Sequence, residues 1–185
     1  AGRSAALIAD NITAGGLHLE EIKYILVTHG HIDHIGGLKY YKQRLSAQVV
    51  AHRLELGAVS QGKPELTAAA WYGVQYQPVE VDRILEKEEE KIAVGGLELV
   101  CLHTPGHTPG SISIYVDCGD QRVLFGQDIH GPFNPAWGSD MEEWHQSMQI
   151  LLALQADILC EGHFGVYRPA SEVTNYISGY INRHL

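Results

Sequence analysis

Residues 27–37 read VTHGHIDHIGG, and the interpretation of this stretch governs the rest of the chain. Three histidines and an aspartate fall within the six positions from His29 to His34. Imidazoles gathered this closely do little for packing: each needs hydrogen-bond partners, and three repel one another once protonated. A cation among them removes both penalties, so the stretch is expected to bind metal. The run KYILV before it (residues 23–27) has the β-branched, apolar composition of a buried strand, which hangs the donors on the loop after its C-terminal end. Beyond it, Leu38, Tyr41 and Leu45 stand at helical spacing. A helix starting near Asp33 and His34 is expected, with free N–H groups that favour a carboxylate; Asp33 also stands where an N-cap would.

Three further segments share this composition: HTPGHTPGS (103–111), GQDIHG (126–131) and EGHFG (161–165). Each follows a strand-like run, LELVCLH, RVLFG or DILC, and each is rich in Gly or Pro, as loops that position ligands from a rigid sheet tend to be. Imidazole and carboxylate together suit zinc, iron or manganese, and two ions need about seven protein ligands with positions left open for water. His29 and His31, two apart on an extended segment, can bind one ion, and Asp33 and His34 a second. His107 then completes the first, His163 the second, and Asp128 bridges them. A lone histidine at a strand end is more often a hydrogen-bonded turn residue, and that reading is kept for His18, His52, His145 and His184. His103 is read as structural or as support behind a ligand, and His130 as a residue that meets substrate, moves a proton or supports a ligand.

The totals bound the alternatives. A chain of 185 residues with 45% hydrophobic composition can bury one sizeable core, so a single domain over residues 1–185 is expected. Thirteen basic against 22 acidic side chains, a formal charge of -9, disfavour nucleic acid as the partner. Cys101, Cys118 and Cys160 lack CxxC spacing, so neither a disulfide framework nor a thiolate zinc site is indicated; Cys101 and Cys160 read as buried strand thiols. No apolar run reaches the roughly 18 residues of a membrane span, and residues 1–20 have no basic segment leading into an apolar one, so no signal peptide is expected. A cytoplasmic protein with no membrane partner is expected. QVVAH reads as a strand, RLELGAVSQG as a helix ending at Gly62, and ELTAAAWYG as a helix or an aromatic lid. Residues 79–125 are strand-rich. SDME (139–142) fits an S-x-x-E capping box opening a helix with Met141, Trp144, Met148, Leu151 and Leu152 on one face, and Val173, Tyr176, Ile177, Tyr180 and Ile181 mark a closing amphipathic helix.

THGHIDH, residues 28–34, matches the T-H-x-H-x-D-H signature of the metallo-β-lactamase superfamily. TPGHTPGS, the aspartate of GQDIHG and the histidine of EGHFG resemble that family's later metal motifs in the same order. The resemblance implies an α/β fold, the four-layer αβ/βα sandwich, with a dinuclear centre at the edge of its two sheets. Two departures accompany it. The family's first strands are expected to be missing from this sequence, which starts in the helix before the first histidines. The extra helical domain with which glyoxalase II holds glutathione is expected to be missing too, which would count against a specific glutathione thioesterase.

The resemblance thus implies a dinuclear metal-dependent hydrolase, glyoxalase II-like or lactonase-like. Its cofactors are two divalent ions, zinc foremost and iron or manganese as alternatives. A metal-bridging hydroxide is expected to attack an ester, thioester, lactone or phosphodiester bond, with Asp33, Asp128 and His130 in catalytic roles. Phe133, Trp137, Tyr167 and Arg168 are expected to meet a small-molecule substrate. Two rival classes stand beside this: a mononuclear iron persulfide dioxygenase-like oxidoreductase, and a non-catalytic metal-binding module. A sheet edge exposed by missing strands would favour a homodimer.

Overall fold

The structure, a computed structural model, describes residue 2 and residues 4–184. Contacts divide the chain into two compact units, Ala1–Glu86 and Lys87–Leu185. The first contains α1 (Ala5–Ala14), β1 (Tyr24–Leu26), α2 (Ile32–Ile35), α3 (Leu38–Lys42), β2 (Gln48–His52), α4 (Leu56–Val59), α5 (Pro64–Thr67) and β3 (Arg83–Leu85). The strands form a sheet in the order β1-β2-β3, parallel throughout, with Ile25 opposite Val49 and Ala51 opposite Ile84. Parallel neighbours need a crossover, and the helical segments between the strands supply it. Val27, Ile35, Leu38, Val49, Ala51, Val59 and Val79 form the core. A smaller cluster joins Ala5 and Ala9 of α1 to Tyr41, whose hydroxyl donates to the carbonyl of Ala5 at 2.8 Å.

The helix expected after the histidine cluster is two short helices. Gly36 and Gly37 stand between α2 and α3, and each glycine costs roughly 1 kcal/mol relative to alanine inside a helix. The helix begins at Ile32 with His31 in the N-cap position, so Asp33 lies within its first turn and is not its cap. RLELGAVSQG is likewise divided, into a 3-10 turn over Arg53–Glu55 and α4. The ambiguous aromatic segment becomes α5 and a 3-10 turn over Ala69–Tyr72, with Trp71 exposed.

The second unit holds β4 (Glu89–Val94), β5 (Leu97–His103), β6 (Ile112–Cys118), β7 (Gln121–Phe125), α6 (Met141–Ala153), β8 (Ile158–Glu161), β9 (Gly165–Tyr167) and α7 (Ala170–Arg183). Its six strands pair in chain order, and every pair is antiparallel except β7 with β8. Between those two the chain passes through α6, the crossover a parallel pair requires. Asp157 pins the register: its carboxylate accepts from the N–H of Arg122 at 2.7 Å, and its own N–H donates to the Arg122 carbonyl at 2.9 Å. Leu124, Ile129, Trp144, Met148, Leu151, Leu159, Val173, Ile177 and Ile181 form the core of this unit. Val173, Ile177 and Ile181 recur at four-residue intervals along α7, which buries one face of the expected amphipathic helix.

The start of α6 departs from expectation. Asp140, not Ser139, is the N-cap, and its carboxylate accepts from the N–H groups of Glu142 and Glu143 at 2.8 and 3.0 Å. Ser139 instead donates its hydroxyl to the carbonyl of His107 at 2.7 Å. Cys101 is buried as expected, whereas Cys160 is only partly so. Among the described residues no helix is long and apolar enough to cross a membrane.

Candidate metal centre

In the first unit the donors sit between β1 and the end of α2. The short strand is held in the parallel sheet, so the chain leaving it at Thr28 is fixed in direction. His29 and His31 are both buried, and each offers a ring nitrogen within 4.8 Å of the other. Their rings meet edge to face with centroids 4.7 Å apart, and the ring of His34 lies 4.1 Å from that of His29. Asp33 Oδ2 is 3.7 Å from His34 Nε2 and accepts from the Tyr72 hydroxyl at 3.4 Å. Three imidazoles and a carboxylate are thus brought together, as the spacing predicts. Gly30 between the first two histidines has no alternative: a Cβ there would lie 2.4 Å from Ala58 Cβ and 2.6 Å from Glu55 Oε2.

In the second unit three loops after strand ends present donors to one another. Asp128 Oδ2 lies 3.6 Å from His107 Nε2 and 3.3 Å from His163 Nε2. His107 and Asp128 are buried, while the His163 side chain retains 37% of its exposure. The loop carrying His107 is braced by hydroxyls. Thr104 bonds to Ser113 at 2.9 Å, Thr108 to Ser111 at 2.8 Å, and Ser147 of α6 donates to the Pro105 carbonyl at 2.7 Å. His103 Nε2 donates to the carbonyl of Pro109 at 2.9 Å. Asp128 is packed from behind by the backbone of Gly162, where a Cβ would stand 2.3 Å from Asp128 Oδ1.

The donor chemistry of both units fits a divalent cation. Neutral imidazoles and carboxylates are the ligands that zinc, iron and manganese share, and here they meet one another at distances that would waste buried polar groups without a cation to bind.

His130 lies beside this second set. Its Nδ1 is 2.7 Å from Glu161 Oε1, and its ring packs edge to face on His163 (5.2 Å) and Phe164 (4.6 Å). Burial pushes the Glu161 carboxyl up, but hydrogen bonds from His130 and from the N–H groups of His163 and Phe164 outweigh it and hold the group below the usual carboxylate range. Glu161 was not legible as a site residue; the only sequence signal is its place directly before the Gly-His pair. Of the residues expected to meet substrate, Phe133 is partly buried and packs against the rings of His107, Trp144 and His184, and Tyr167 stacks on Tyr176 at 4.1 Å. Arg168 is exposed, and Trp137, at 5% exposure, is buried.

Comparisons with known proteins agree with this chemistry. A family model described as the metallo-beta-lactamase superfamily matches residues 1–163. The chain is similar to a probable metallo-hydrolase, YybB, of Bacillus subtilis (strain 168), 28% identical over 161 residues that cover 84% of this chain and 70% of that protein. It is similar to the hydroxyacylglutathione hydrolase GloC of Haemophilus influenzae, 29% identical over 109 residues, 58% of this chain and 50% of that protein. It is also similar to the acyl-coenzyme A thioesterase MBLAC2 of Gallus gallus, 27% identical, with 98% of this chain and 69% of that protein covered. Among solved structures, a motif mutant of a Cronobacter sakazakii metallo-beta-lactamase aligns with a TM-score of 0.83 at 23% identity, covering 99% of this chain and 80% of that one. BJP-1, a subclass B3 metallo-beta-lactamase of Bradyrhizobium japonicum, aligns with a TM-score of 0.80 at 23% identity, covering 97% and 77%. The structures show a shared mixed α/β fold, and the relatives' names support a hydrolase. With four donor motifs in order and a family match over most of its length, the chain belongs to the metallo-beta-lactamase superfamily.

Proposed function

We propose that His29, His31, Asp33, His34, His107, Asp128 and His163 hold two divalent metal ions, zinc foremost. The reading is a dinuclear metal-dependent hydrolase acting on an ester, thioester, lactone or phosphodiester bond of a small molecule. The observation that carries it is the placement of Asp128, whose Oδ2 faces two imidazole nitrogens at 3.6 and 3.3 Å, as a carboxylate serving two ions would. These residues make up the roughly seven donors that a two-ion centre with open positions needs. When bound, two such ions lower the pKa of water towards 7 and polarise the oxygen under attack.

The chain's own side chains do the remaining work. Asp33, steadied by the Tyr72 hydroxyl, or Asp128 carries a proton to the leaving group. His130 faces the substrate from beside His163. Phe133 and Tyr167 offer apolar surface to the acyl or ring portion, and the exposed Arg168 is placed to meet an anionic group. The relatives that are a hydroxyacylglutathione hydrolase and an acyl-coenzyme A thioesterase favour a thioester within this set.

The test is metal content per chain by elemental analysis, on protein grown with both zinc and iron, followed by an ester, thioester, lactone and phosphodiester panel. About two equivalents of metal and oxygen-independent turnover are expected. A single iron with oxygen consumption would transfer the reading to the oxidoreductase class. Full metal with no turnover on the panel would transfer it to a binding module. Asp128→Ala should lose metal and activity together.

A further inference from the structure

We infer that Glu161 is a positioning residue, which fixes the ring and the tautomer of His130 while folding the turn that presents His163. The inference rests on the hydrolase reading for its catalytic consequence, though its geometry stands independently. The Glu161 side chain, at the end of β8, is fully buried. One oxygen, Oε2, accepts from the backbone N–H groups of His163 and Phe164 at 2.7 and 2.9 Å, which shapes the turn between β8 and β9. The other, Oε1, lies 2.7 Å from Nδ1 of His130, a residue 31 positions earlier on a different loop. One carboxylate therefore couples two loops that carry the second unit's chemistry.

The coupling has a chemical consequence. A carboxylate that already accepts two N–H bonds on one oxygen accepts on the other, so the proton between Glu161 and His130 belongs to Nδ1. In the neutral ring Nε2 is then left with its lone pair, available to an O–H or N–H donor of the substrate. Rotation is opposed by edge-to-face contacts with His163 on one side and Phe164 on another, at interplanar angles of 83° and 72°. The His130 side chain keeps 14% exposure, so the ring is held firmly yet still reaches solvent. This is the arrangement by which outer carboxylates set the orientation of working imidazoles elsewhere.

A purely structural Glu161 would shape the turn and do nothing more, and Glu161→Gln separates the two roles. The glutamine oxygen still accepts both backbone N–H groups, so the turn and His163 are retained. Its NH2 group faces His130 Nδ1 and must donate, which drives the ring to the Nε2–H tautomer. The experiment is 15N-detected imidazole NMR on the full, metal-loaded chain, with metal content and steady-state kinetics on the same samples. The wild type should show Nδ1–H at His130 and E161Q should show Nε2–H, with metal content unchanged and kcat lowered about 10–100-fold at similar KM. The double variant E161Q/H130Q should be no slower than His130→Gln alone, since the carboxylate acts through that ring. An Nε2–H tautomer in the wild type, an unshifted tautomer in E161Q, or losses that multiply in the double variant would each overturn the inference. A chain that turns over no substrate would refute the hydrolase reading, and the tautomer measurement would still decide the role of Glu161.

Discussion

Replacing Gly162 with alanine should strip metal from the chain while leaving it folded. The added Cβ would stand 2.3 Å from Asp128 Oδ1 and 3.1 Å from the Gln127 carbonyl oxygen, where real Cβ atoms essentially never come within 3.0 Å of a neighbour. Two groups could give way, and they differ in what yielding costs. The Gln127 carbonyl is backbone and accepts the Gly162 N–H at 3.0 Å, so retreat breaks the link between two loops. The Asp128 carboxyl is the end of a short side chain and can rotate. Rotation takes Oδ2 out of its position 3.3 Å from His163 and 3.6 Å from His107. The cheaper response therefore sacrifices ligand geometry and spares the fold. Stability of the metal-free chain should fall by about 1–2 kcal/mol, the lower part of the overpacking range, while metal affinity should drop about 10–100-fold. The assay is elemental analysis after equilibration against a competing chelator, paired with urea denaturation of the metal-free protein. Gly179→Ala is the control: it lies in α7 with no atom within 4 Å of its Cβ, so it should bind metal normally and gain up to about 1 kcal/mol from helix propensity. G162A protein that keeps wild-type metal stoichiometry and affinity would refute the placement of Asp128 as a ligand.

Four smaller predictions follow from the packing. Asp140→Ala removes the cap that holds two N–H groups of α6 and should cost about 1 kcal/mol in urea denaturation. Ser139→Ala should leave α6 intact, since its hydroxyl serves the His107 carbonyl. Trp144→Phe deletes the indole N–H that donates to the Ile129 carbonyl at 3.1 Å in the core of the second unit, and a loss of about 1–3 kcal/mol is expected from the buried acceptor. Asp82 gives a pH dependence of known sign. Its hydrogen bond from Lys42 lowers its pKa, burial opposes this, and the Val49 N–H adds to the lowering. A carboxyl lowered on folding stabilises the native state fully above its unfolded value of about 3.9 and loses that contribution as pH falls through the native value. Asp82→Asn should therefore weaken the fold at pH 7 by less than about 1 kcal/mol, given the pair's partial exposure. Its stability should converge with the wild type in acid, and denaturation curves at pH 7 and pH 3 would measure this.

The candidate metal-binding stretches were legible because their signal is local. His29, His31, Asp33 and His34 crowd into one loop, and each later donor sits in a short Gly- or Pro-rich segment after a strand-like run. A strand end, a turn and a ligand are properties of a few adjacent residues, so the alternation of apolar and polar positions suffices to find them. Most strands and the two long helices were visible for the same reason, whereas the three-residue strands β3 and β9 are too short to show an alternation. The division of α2 from α3 could have been read from the paired glycines at 36 and 37, since helix propensity is also local.

What required the tertiary structure was every choice between chemically equivalent candidates. Ser139 and Asp140 are both good N-caps by type, and the carbonyl of His107, 32 residues away, claims the serine and leaves the cap to the aspartate. Trp137 and Phe133 have the same apolar character, yet packing withdraws the tryptophan from solvent. Glu161 could have been any acidic residue before a turn. Its meaning comes from His130, and no periodicity or composition rule pairs residues 31 apart on separate loops. Local propensity and donor chemistry are written along the chain, whereas the partner of a side chain is set by which loops the sheet brings within 3 Å of one another, a property of the folded molecule alone.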